Sequence, residues 1–338
     1  MAEPTAAAEP ARVSVIVPVH NGGAAFVQCL DALRRVRYAN YEVIVVDDAS
    51  TDDTVAVARR FGSKVFPLPR PSGPAIARNA GAREADGNIL FFVDADIVVS
   101  PDALSVVNDT LSGENVDAAV GLLSKKGTFQ RLPSTYENLY MHYMYAGYRG
   151  TIPIFYTSAA AIERQVFEKV GGFDEHYTSP GIEDMAYGRH LLRQGCAVRL
   201  EPRLAVTHKK EFTLVQLLRI NFRKAAGTAR LMLRTRGRKR LERPVSADWG
   251  FLLSIPLTLL ALIGAMLNIV IQSVTLFVGS FALLLLTLVL NRGFLAFLRQ
   301  ERGIGFVIAS LPLLWLNFLG YGLGIAWGGV SYVFGVRY

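Results

Sequence analysis

Two long stretches of the sequence contain no charged residue, although charge is spread through residues 1–243. They run from Trp249 to Asn291 and from Gly303 to Val336. A soluble core helix rarely stays wholly apolar for more than about a dozen residues, whereas a bilayer crossing needs about 20. We therefore expect a transmembrane region of about three helices at residues 248–338, the first two turning near Asn268–Ser273. A buried helical hairpin of a soluble protein is the alternative.

The sequence also lacks a secretory signal and has only two cysteines. Met1–Pro10 carries acidic and small residues where a signal peptide needs a basic segment and an apolar run. Residues 1–11 are rich in Ala, Pro and Glu and are expected to be disordered. Cys29 and Cys196 lie far apart and lack metal-site spacing with histidine. These absences argue against a disulfide-stapled secreted fold, and we expect the part before Trp249 to lie in the cytosol.

The whole chain has a net charge of +8, and its positive charge is concentrated in one segment. Residues 203–243 contain thirteen Lys and Arg, with Glu211 and Glu242 as their only acids. A basic strip next to an apolar segment is attracted to anionic lipids, at about 1 kcal/mol per residue near the surface. Residues 208–247 are therefore predicted to form a basic interfacial helical segment. Nucleic-acid binding competes with this interpretation, but the adjoining span makes it unnecessary, and no nucleic-acid partner is expected.

The segment between the two uncharged stretches favours a multi-pass protein of an inner or plasma membrane. It carries Arg292, Arg299 and Arg302 with Glu301 as its one acid. By the positive-inside rule this loop should be cytoplasmic. Three spans would leave the C-terminus outside, unless Pro312 and the glycines of the last stretch form a broken or re-entrant helix.

Before these segments, short apolar runs rich in β-branched residues alternate with helical patterns. The predicted strands are Val13–Val19, Val43–Val46, Lys64–Phe66 and Ile89–Val93; the predicted helices follow Gly23 and cover Thr54–Arg60 and Ala75–Ala85. This alternation predicts an α/β fold with parallel strands and helices on both faces of the sheet. Ligands bind such sheets at the carboxyl ends of the strands.

Four carboxylates follow two of these predicted strands. Asp47 and Asp48 end the second strand, and Asp94 and Asp96 follow the fourth. Carboxylates gathered at one edge of a sheet repel one another unless a cation or hydrogen-bond donors offset their charge. A divalent metal with oxygen ligands and substrate phosphates is the usual resolution. Either pair alone is as often a turn or helix cap, but both together favour a phosphate-bearing ligand.

Six segments between about Val13 and Gly227 resemble, in order, the inverting glycosyltransferases of family 2. They are Val13–Pro18, Val45–Thr54, Ala77–Gly81, Phe92–Asp96, Gly171–Glu175, and Glu183–Asp184 with Arg189. The resemblance implies a GT-A fold, which is a nucleotide-sugar-binding, Rossmann-like mixed α/β sheet, at residues 12–207. It also implies a UDP- or GDP-sugar donor and a divalent metal, Mn²⁺ or Mg²⁺.

The resemblance further implies a role for each matching position. The donor-binding residues would be Pro18, His20, Asp48, Arg78 and Asp94, with Asp48 on the nucleobase and Arg78 on the diphosphate. The metal ligands would be Asp94, Asp96 and His208. The alternatives are a turn-capping role for the aspartates after the second strand, a solvated charge for Arg78, and a surface position for His208.

On the opposite side of the sugar, Asp184 would be the general base that accepts the proton of the attacking hydroxyl. The acceptor-side residues would be Gly172, Phe173, Glu183 and Arg189. Alternatively, Glu183 and Asp184 only favour a helix N-terminus through its dipole. Phe173 is expected to pack rather than to stack on sugar.

The expected activity is transfer of a sugar to a hydroxyl acceptor, with a lipid or lipid-linked acceptor favoured by the spans and the basic strip. A processive polysaccharide synthase is the nearest alternative, but Gln216–Ile220 keeps Gln and Arg without the Trp of such enzymes. A non-catalytic membrane scaffold is the second alternative, and the joint presence of four candidate site residues argues against it: Asp48, Asp94, Asp96 and Asp184. The aromatic run Tyr136–Tyr148 fits lipid, sugar or a core equally well.

Overall fold

The computed structural model describes residues 10–338, apart from 114, 128, 149–150, 179 and 236–248. Most of the predicted disordered N-terminus and the second part of the predicted interfacial segment lie outside the described residues. The chain forms two compact units. The first comprises Met1–Ser124 and Tyr148–Lys209, and the second comprises Lys125–Gly147 and Lys210–Tyr338. The predicted boundary at residue 207 lies close to this division, but residues 125–147 group with the C-terminal helices.

The first unit is built on an eight-stranded mixed sheet. Its strands are β1 Val13–Val19, β2 Tyr41–Asp47, β3 Lys64–Pro67, β4 Ile89–Val93, β5 Ile97–Val98, β6 Ala118–Leu123, β7 Ala159–Glu163 and β8 Val198–His208. Its helices are α1 Gly23–Arg34, α2 Thr54–Arg60, α3 Pro74–Arg83, α4 Ala103–Leu111, α6 Arg164–Val170 and α7 Glu183–Arg193. The strand order is β3-β2-β1-β4-β7-β6-β8-β5.

The strands predicted from the sequence are those of the parallel half of this sheet. β1 pairs in parallel with β2 and β4, and β2 pairs in parallel with β3. β7 then runs antiparallel to β4 and β6, which makes the sheet mixed. β5 pairs antiparallel with the end of β8, so that Ile97 lies opposite His208. This last pairing brings His208 beside the segment that follows β4.

The core of the first unit lies between the sheet and its helices. Val13, Val15, Ile16 and Val17 are fully buried along β1, as expected for a strand covered on both faces. α3 lies especially close to this strand, because a Cβ atom on Gly81 would come within 2.5 Å of Ile16 Cγ2. The close approach packs the C-terminal part of α3 against the middle of β1.

The second unit is helical. It contains α5 Leu132–Ala146, α8 Leu214–Arg234, α9 Trp249–Ile271, α10 Val274–Leu290 and α11 Arg292–Val333. In the described part of the chain, α9 and α11 are long and apolar enough to cross a membrane by length and composition, and α10 is a shorter apolar helix of 17 residues. α9 and α10 turn at Gln272 and Ser273, within the predicted turn.

The predicted loop around Arg292–Arg302 is instead helical. It is the first part of α11, which is interrupted at Gly303, where φ is 82° and ψ is 173°. The helix then continues through Pro312. The prediction of a loop was wrong because Phe294 and Leu298, one turn apart, bury one face of this segment and stabilise a helix.

The tyrosine-rich run belongs to the core of the helical unit. The rings of Tyr136, Tyr140 and Tyr143 on α5 lie 5.7, 5.5 and 5.3 Å from the ring of Phe294. Tyr140 also packs against Phe251 on α9 at 5.5 Å. Of the three alternatives for this run, packing in a core is the one observed for these side chains.

α8 packs closely against α11 through small residues. A Cβ atom on Gly324 would lie 2.5 Å from the carbonyl oxygen of Phe222 and 2.8 Å from Ala225 Cβ. Asn221 adds polar contacts, since its amide donates to Asn317 Oδ1 at 3.3 Å and to Glu137 Oε2 at 3.4 Å. The predicted basic segment therefore starts at the end of β8, and its helical part, Leu214–Arg234, is a packed helix of the second unit.

Candidate active site

The ends of β1 and β2 are joined by side-chain hydrogen bonds. Both carboxylate oxygens of Asp47 lie 3.3 Å from the amide of Ser50, so this buried residue caps the turn after β2. His20 Nδ1 lies 2.7 Å from the carbonyl oxygen of Asp48. Pro18 is half-buried near the end of β1, two residues before His20. Three predicted donor-binding residues thus lie at one edge of the sheet.

The Asp48 carboxylate holds the loop that precedes α3. Its Oδ1 accepts a hydrogen bond from the amide of Ser72 at 2.6 Å, and its Oδ2 accepts one from Gly73 at 2.9 Å. Gly73 has a φ of 91°, a conformation that favours glycine. Asp48 therefore orders this loop beside the strand ends; its predicted contact with a nucleobase stays a prediction.

Arg78 on α3 connects the end of β4 to the start of α7. Its Nη2 donates to Asp94 Oδ1 at 2.7 Å, and its Nη1 donates to Glu183 Oε1 at 2.9 Å. The guanidinium is only 4% exposed. Burial lowers the pKa of Arg78, but Asp94 and Glu183 raise it by more, so the pKa stays above its usual value. Arg78 is thus a permanent positive charge between two carboxylates.

Asp94 is held from two sides. Its Oδ1 binds Arg78, and its Oδ2 accepts a hydrogen bond from Ser158 Oγ at 3.2 Å. About a third of the Asp94 side chain, 31%, remains exposed. Ser158 was not identified from the sequence, because nothing local to a serine just before a strand indicates a partner 64 positions away.

Asp96 and His208 are brought together by the pairing of β5 with β8. His208 Nε2 lies 3.6 Å from Asp96 Oδ1, and the amide of Lys209 donates to the carbonyl oxygen of Asp96 at 2.8 Å. Both side chains remain partly exposed. The two distant segments that the resemblance linked to a metal therefore do lie side by side.

The residues at this edge fit a hard divalent cation by their chemistry. Carboxylate oxygens with one imidazole suit Mn²⁺ or Mg²⁺. Within the described residues, however, no group of three His, Cys, Asp or Glu side chains is close enough to hold a metal alone. Part of the coordination shell would have to come from a bound ligand and water, as is usual where substrate phosphates complete the shell.

Asp184 lies in the first turn of α7, next to Glu183, but in different surroundings. Glu183 is 3% exposed, and its Oε2 accepts hydrogen bonds from the amides of Gly181 and Ile182 at 2.7 and 2.9 Å. Asp184 is half-buried, and its Oδ1 accepts a hydrogen bond from the amide of Met185 at 2.6 Å. Glu183 is therefore paired with Arg78, whereas part of the Asp184 side chain is accessible.

The phenol of Tyr156 is exposed to the negative charge of three of the aspartates that the sequence singled out. Burial raises the pKa of its phenol, a hydrogen bond with Ser158 works in the opposite direction, and Asp94, Asp184 and Asp96 raise the pKa further. The net pKa is above its usual value, so the phenol stays protonated at neutral pH. Sequence reasoning missed this residue, because the aspartates whose charge acts on it come from two other segments of the chain.

The predicted acceptor-side residues are mostly interior. Phe173 is 2% exposed, and its ring packs 5.3 Å from Phe92 and 4.5 Å from Tyr187. Asn79 binds the backbone of Phe173: its side-chain oxygen accepts from the Phe173 amide, and its side-chain nitrogen donates to the Phe173 carbonyl oxygen, both at 2.9 Å. Arg189 is also buried. The Phe173 ring thus packs in the core, as expected.

The loop that precedes Phe173 is built on two glycines. Gly171 and Gly172 have φ values of 100° and 72°, in the left-handed region that glycine adopts readily. A Cβ atom on Gly172 would lie 2.8 Å from Asn79 Oδ1. A side chain at residue 172 would therefore disturb the hydrogen bonds that Asn79 makes to Phe173.

Comparison with known proteins identifies relatives of the first unit. Residues 14–171 match the family described as Glycosyl transferase family 2. Glycosyltransferase AglE of Haloferax volcanii is 30% identical over 182 residues, which cover 50% of this chain and 58% of AglE. Glycosyltransferase GlyG of Streptococcus pneumoniae is 29% identical over 114 residues, 32% of this chain and 38% of GlyG. The chain thus spans less than two thirds of these relatives.

Two solved structures share the fold. The mannosyltransferase PcManGT from Pyrobaculum calidifontis, solved in complex with GDP-Man and Mn²⁺, has a TM-score of 0.58 at 20% identity, covering 96% of this chain and 87% of PcManGT. S. aureus TarS 1-349 has a TM-score of 0.50 at 16% identity, covering 96% of this chain and 92% of that one. At such identities the likeness shows the fold alone. The mixed sheet therefore has the predicted GT-A fold.

Proposed function

Since residues 14–171 of this chain match glycosyl transferase family 2, we propose that the protein is a membrane-anchored inverting glycosyltransferase. It moves a sugar from a nucleotide-sugar donor to a hydroxyl acceptor. The observation that carries this proposal is the bridge that Arg78 makes from Asp94 to Glu183, the residue next to Asp184, beside the 3.6 Å approach of Asp96 to His208. Asp94 and Asp96 then provide carboxylates for a cation at the end of β4, and Asp184 on α7 provides a carboxylate that can accept a proton.

The donor binds along the carboxyl ends of β1, β2 and β4. Asp48 accepts a hydrogen bond from the nucleobase, which suits an acceptor-only side chain facing an N–H group. Pro18 and His20 line the same edge. Because both ends of the Arg78 guanidinium bind carboxylates, Arg78 acts on the donor diphosphate mainly through Asp94. The GDP-Man in the PcManGT structure supports a nucleotide-sugar donor.

Asp94, Asp96 and His208 would hold a divalent metal, Mn²⁺ or Mg²⁺, together with the donor diphosphate. The metal supplies positive charge for the leaving phosphate when it is bound. The 3.6 Å approach of Asp96 to His208 and the exposed part of Asp94 support this assignment. Ser158 and Arg78 restrict the orientation of the Asp94 carboxylate, and they do so before any ligand arrives.

Asp184 is the general base. It accepts the proton of the acceptor hydroxyl as the bond from that oxygen to the anomeric carbon forms. The bond from the anomeric carbon to the phosphate oxygen breaks at the same time, and the nucleoside diphosphate leaves. The configuration at the anomeric carbon is inverted. The Asp184 side chain is partly exposed, whereas Glu183 is buried against Arg78. This difference supports Asp184 as the base.

The acceptor side is formed around α7 and the loop before Phe173. Gly172 contributes backbone to this wall, while Phe173 and Arg189 support it from the interior, and Glu183 fixes the start of α7. These roles follow from burial: Phe173, Glu183 and Arg189 are each at most 3% exposed, so their side chains act on an acceptor through the residues they hold.

The helices of the second unit anchor the protein in an inner or plasma membrane, with the catalytic unit in the cytoplasm. α9 and α11 have mean hydropathies of 2.2 and 1.8 over their most apolar windows. Many large apolar side chains on α9, α10 and α11 are exposed, among them Ile269, Val274 and Trp327, and lipid would cover them. A lipid or lipid-linked acceptor fits an enzyme attached to a bilayer.

A donor screen with the full-length protein in lipid nanodiscs tests the proposal. Release of nucleoside diphosphate is measured from UDP- and GDP-sugars with Mn²⁺ or Mg²⁺, with and without a lipid extract as acceptor. We expect turnover of one donor class, dependent on metal and stimulated by the extract. Absence of turnover and of nucleotide binding with every donor would favour the non-catalytic scaffold.

A further inference from the structure

Five side chains of the first unit form a continuous chain of polar contacts. Tyr156 hydrogen-bonds with Ser158, and Ser158 Oγ donates to Asp94 Oδ2 at 3.2 Å. Asp94 Oδ1 accepts from Arg78 at 2.7 Å, and Arg78 donates in turn to Glu183 at 2.9 Å. The chain therefore runs from the segment before β7, across the end of β4 and α3, to the first turn of α7.

Both ends of this chain are attached to the start of α7. Glu183 Oε2 accepts from the amides of Gly181 and Ile182, immediately before the helix and at its boundary. At the other end, the amide of Phe155, next to Tyr156, donates to the carbonyl oxygen of Asp184 at 3.4 Å. The contacts thus close a ring that contains Asp94 and the backbone of Asp184.

Within this ring, the Asp94 carboxylate has one donor on each oxygen. Each carboxylate oxygen has more than one lone-pair site, so both can still bind a cation while the two donors restrict rotation of the group. Arg78 is needed to neutralise two carboxylates and is itself buried. The Ser158 hydroxyl carries no charge to neutralise, so its hydrogen bond orients Asp94 without being required for charge balance.

We propose that Ser158 is a positioning residue for the metal-binding carboxylate of Asp94. Through Arg78 and Glu183, the same ring couples the orientation of Asp94 to the helix that carries Asp184. This inference rests on the proposed function, in which Asp94 binds a metal with the donor diphosphate. Groups that orient metal ligands typically change metal affinity by about 10- to 100-fold when they are removed.

The test is Mn²⁺ binding to the full-length protein in detergent, measured by isothermal titration calorimetry in the presence of UDP and, in a second series, GDP. Ser158→Ala should weaken Mn²⁺ binding about tenfold and leave the thermal unfolding midpoint nearly unchanged. Thr157→Val is the matched control, because it removes a hydroxyl from the adjacent buried residue. We expect its Mn²⁺ affinity to match that of the unmodified chain.

Equal Mn²⁺ affinities for Ser158→Ala and the unmodified chain would overturn the inference while leaving the proposed function intact. Equal losses in Ser158→Ala and Thr157→Val would also overturn it, since the effect would then belong to the segment and not to the hydroxyl. If the unmodified chain binds no Mn²⁺ with either nucleotide, the proposed function itself is wrong and the inference falls with it.

The coupling is tested by adding Glu183→Gln. This variant removes one negative charge beside Arg78, so it should also weaken Mn²⁺ binding. Residues joined in one hydrogen-bond network usually have non-additive effects. We therefore expect the double variant Ser158→Ala with Glu183→Gln to lose less affinity than the product of the two single losses. Losses that multiply would show that Ser158 and Glu183 act independently, and the coupled ring would be wrong.

Discussion

The carboxylate of Glu183 lies 2.9 Å from the guanidinium of Arg78, a residue 105 positions earlier in the chain. Asp184, the next residue, is half-buried, and its carboxylate accepts a hydrogen bond from the amide of Met185. Side chains one position apart on a helix point in different directions. Two adjacent acidic residues therefore have separate tasks, one in holding α3 to α7 and one at the accessible edge of the site.

Replacing the proposed base should abolish transfer without abolishing binding. Asn at position 184 keeps the size of the side chain but cannot accept a proton, and general-base assistance is typically worth about 10²–10⁴ in rate. We expect Asp184→Asn to lower kcat by at least this order and to leave nucleotide affinity nearly unchanged. Asp109→Asn on the exposed face of α4 is the matched control. Near-normal transfer by Asp184→Asn would show that another residue is the general base.

The metal assignment predicts that removal of metal stops transfer reversibly and that metal binding depends on specific side chains. Treatment with EDTA should stop transfer, and added Mn²⁺ or Mg²⁺ should restore it. Asp96→Asn and His208→Gln should each need higher Mn²⁺ concentrations for half-maximal nucleotide binding, because each removes a ligand at the pairing of β5 with β8. If nucleotide binding by both variants responds to Mn²⁺ as in the unmodified chain, these residues are not metal ligands.

Removal of Arg78 should destabilise the first unit. Arg78→Met leaves Glu183 buried without its cationic partner, and breaking a buried ion pair from one side typically costs about 3–5 kcal/mol. Arg83→Met on the same helix is the matched control, since its side chain is 65% exposed and surface changes usually stay within about 0.5 kcal/mol. Urea unfolding followed by circular dichroism measures both. Equal free energies of unfolding for the two variants would contradict the predicted role of Arg78.

Glu42 predicts a pH dependence of stability. Burial raises its pKa, but hydrogen bonds from Lys64, Ser14 and the amide of Asp86 lower it by more, to below the ordinary 4.5. The folded state therefore favours the charged form. This contribution is fully present above pH 4.5 and is lost as the pH falls through the lowered folded-state pKa.

We therefore expect Glu42→Gln to be less stable than the unmodified chain at neutral pH, and this difference to shrink in acid. Unfolding free energies at several pH values measure the effect. The exposed residue Glu84 provides the matched control Glu84→Gln, for which a small difference that does not vary with pH is expected. A difference for Glu42→Gln that is constant from neutral pH to pH 3 would refute the argument.

The apolar helices predict how the full-length protein behaves during membrane extraction. Carbonate and high salt remove proteins held by charge, because screening weakens such attraction, but they leave bilayer-spanning helices in place. We expect the protein to stay in the membrane pellet after both washes and to be released only by detergent. Release by carbonate or salt alone would show that α9 and α11 do not span the bilayer.

Much of the first unit was predictable because its signals are local. β1 and β4 begin and end at the predicted residues, since a strand buried on both faces must be a short, continuously apolar run. α2 also matches its predicted bounds. The antiparallel strand β7 gave no such signal: Ala159–Glu163 is short and rich in alanine, which is not a strand-favouring residue.

The sequence by itself determined the strand ends that carry the candidate ligands, the apolar helices, and the match of residues 14–171 to glycosyl transferase family 2. These features depend on neighbouring residues and on residue order. Only the tertiary structure decided that Arg78 lies between Asp94 and Glu183, that Ser158 binds Asp94, and that α5 packs its tyrosines on Phe294. Each of these contacts joins residues far apart in the chain. Many different partners could neutralise a buried charge or cover the apolar face of a helix. Which partner does so depends on the packing of distant segments, and the local sequence does not specify that packing.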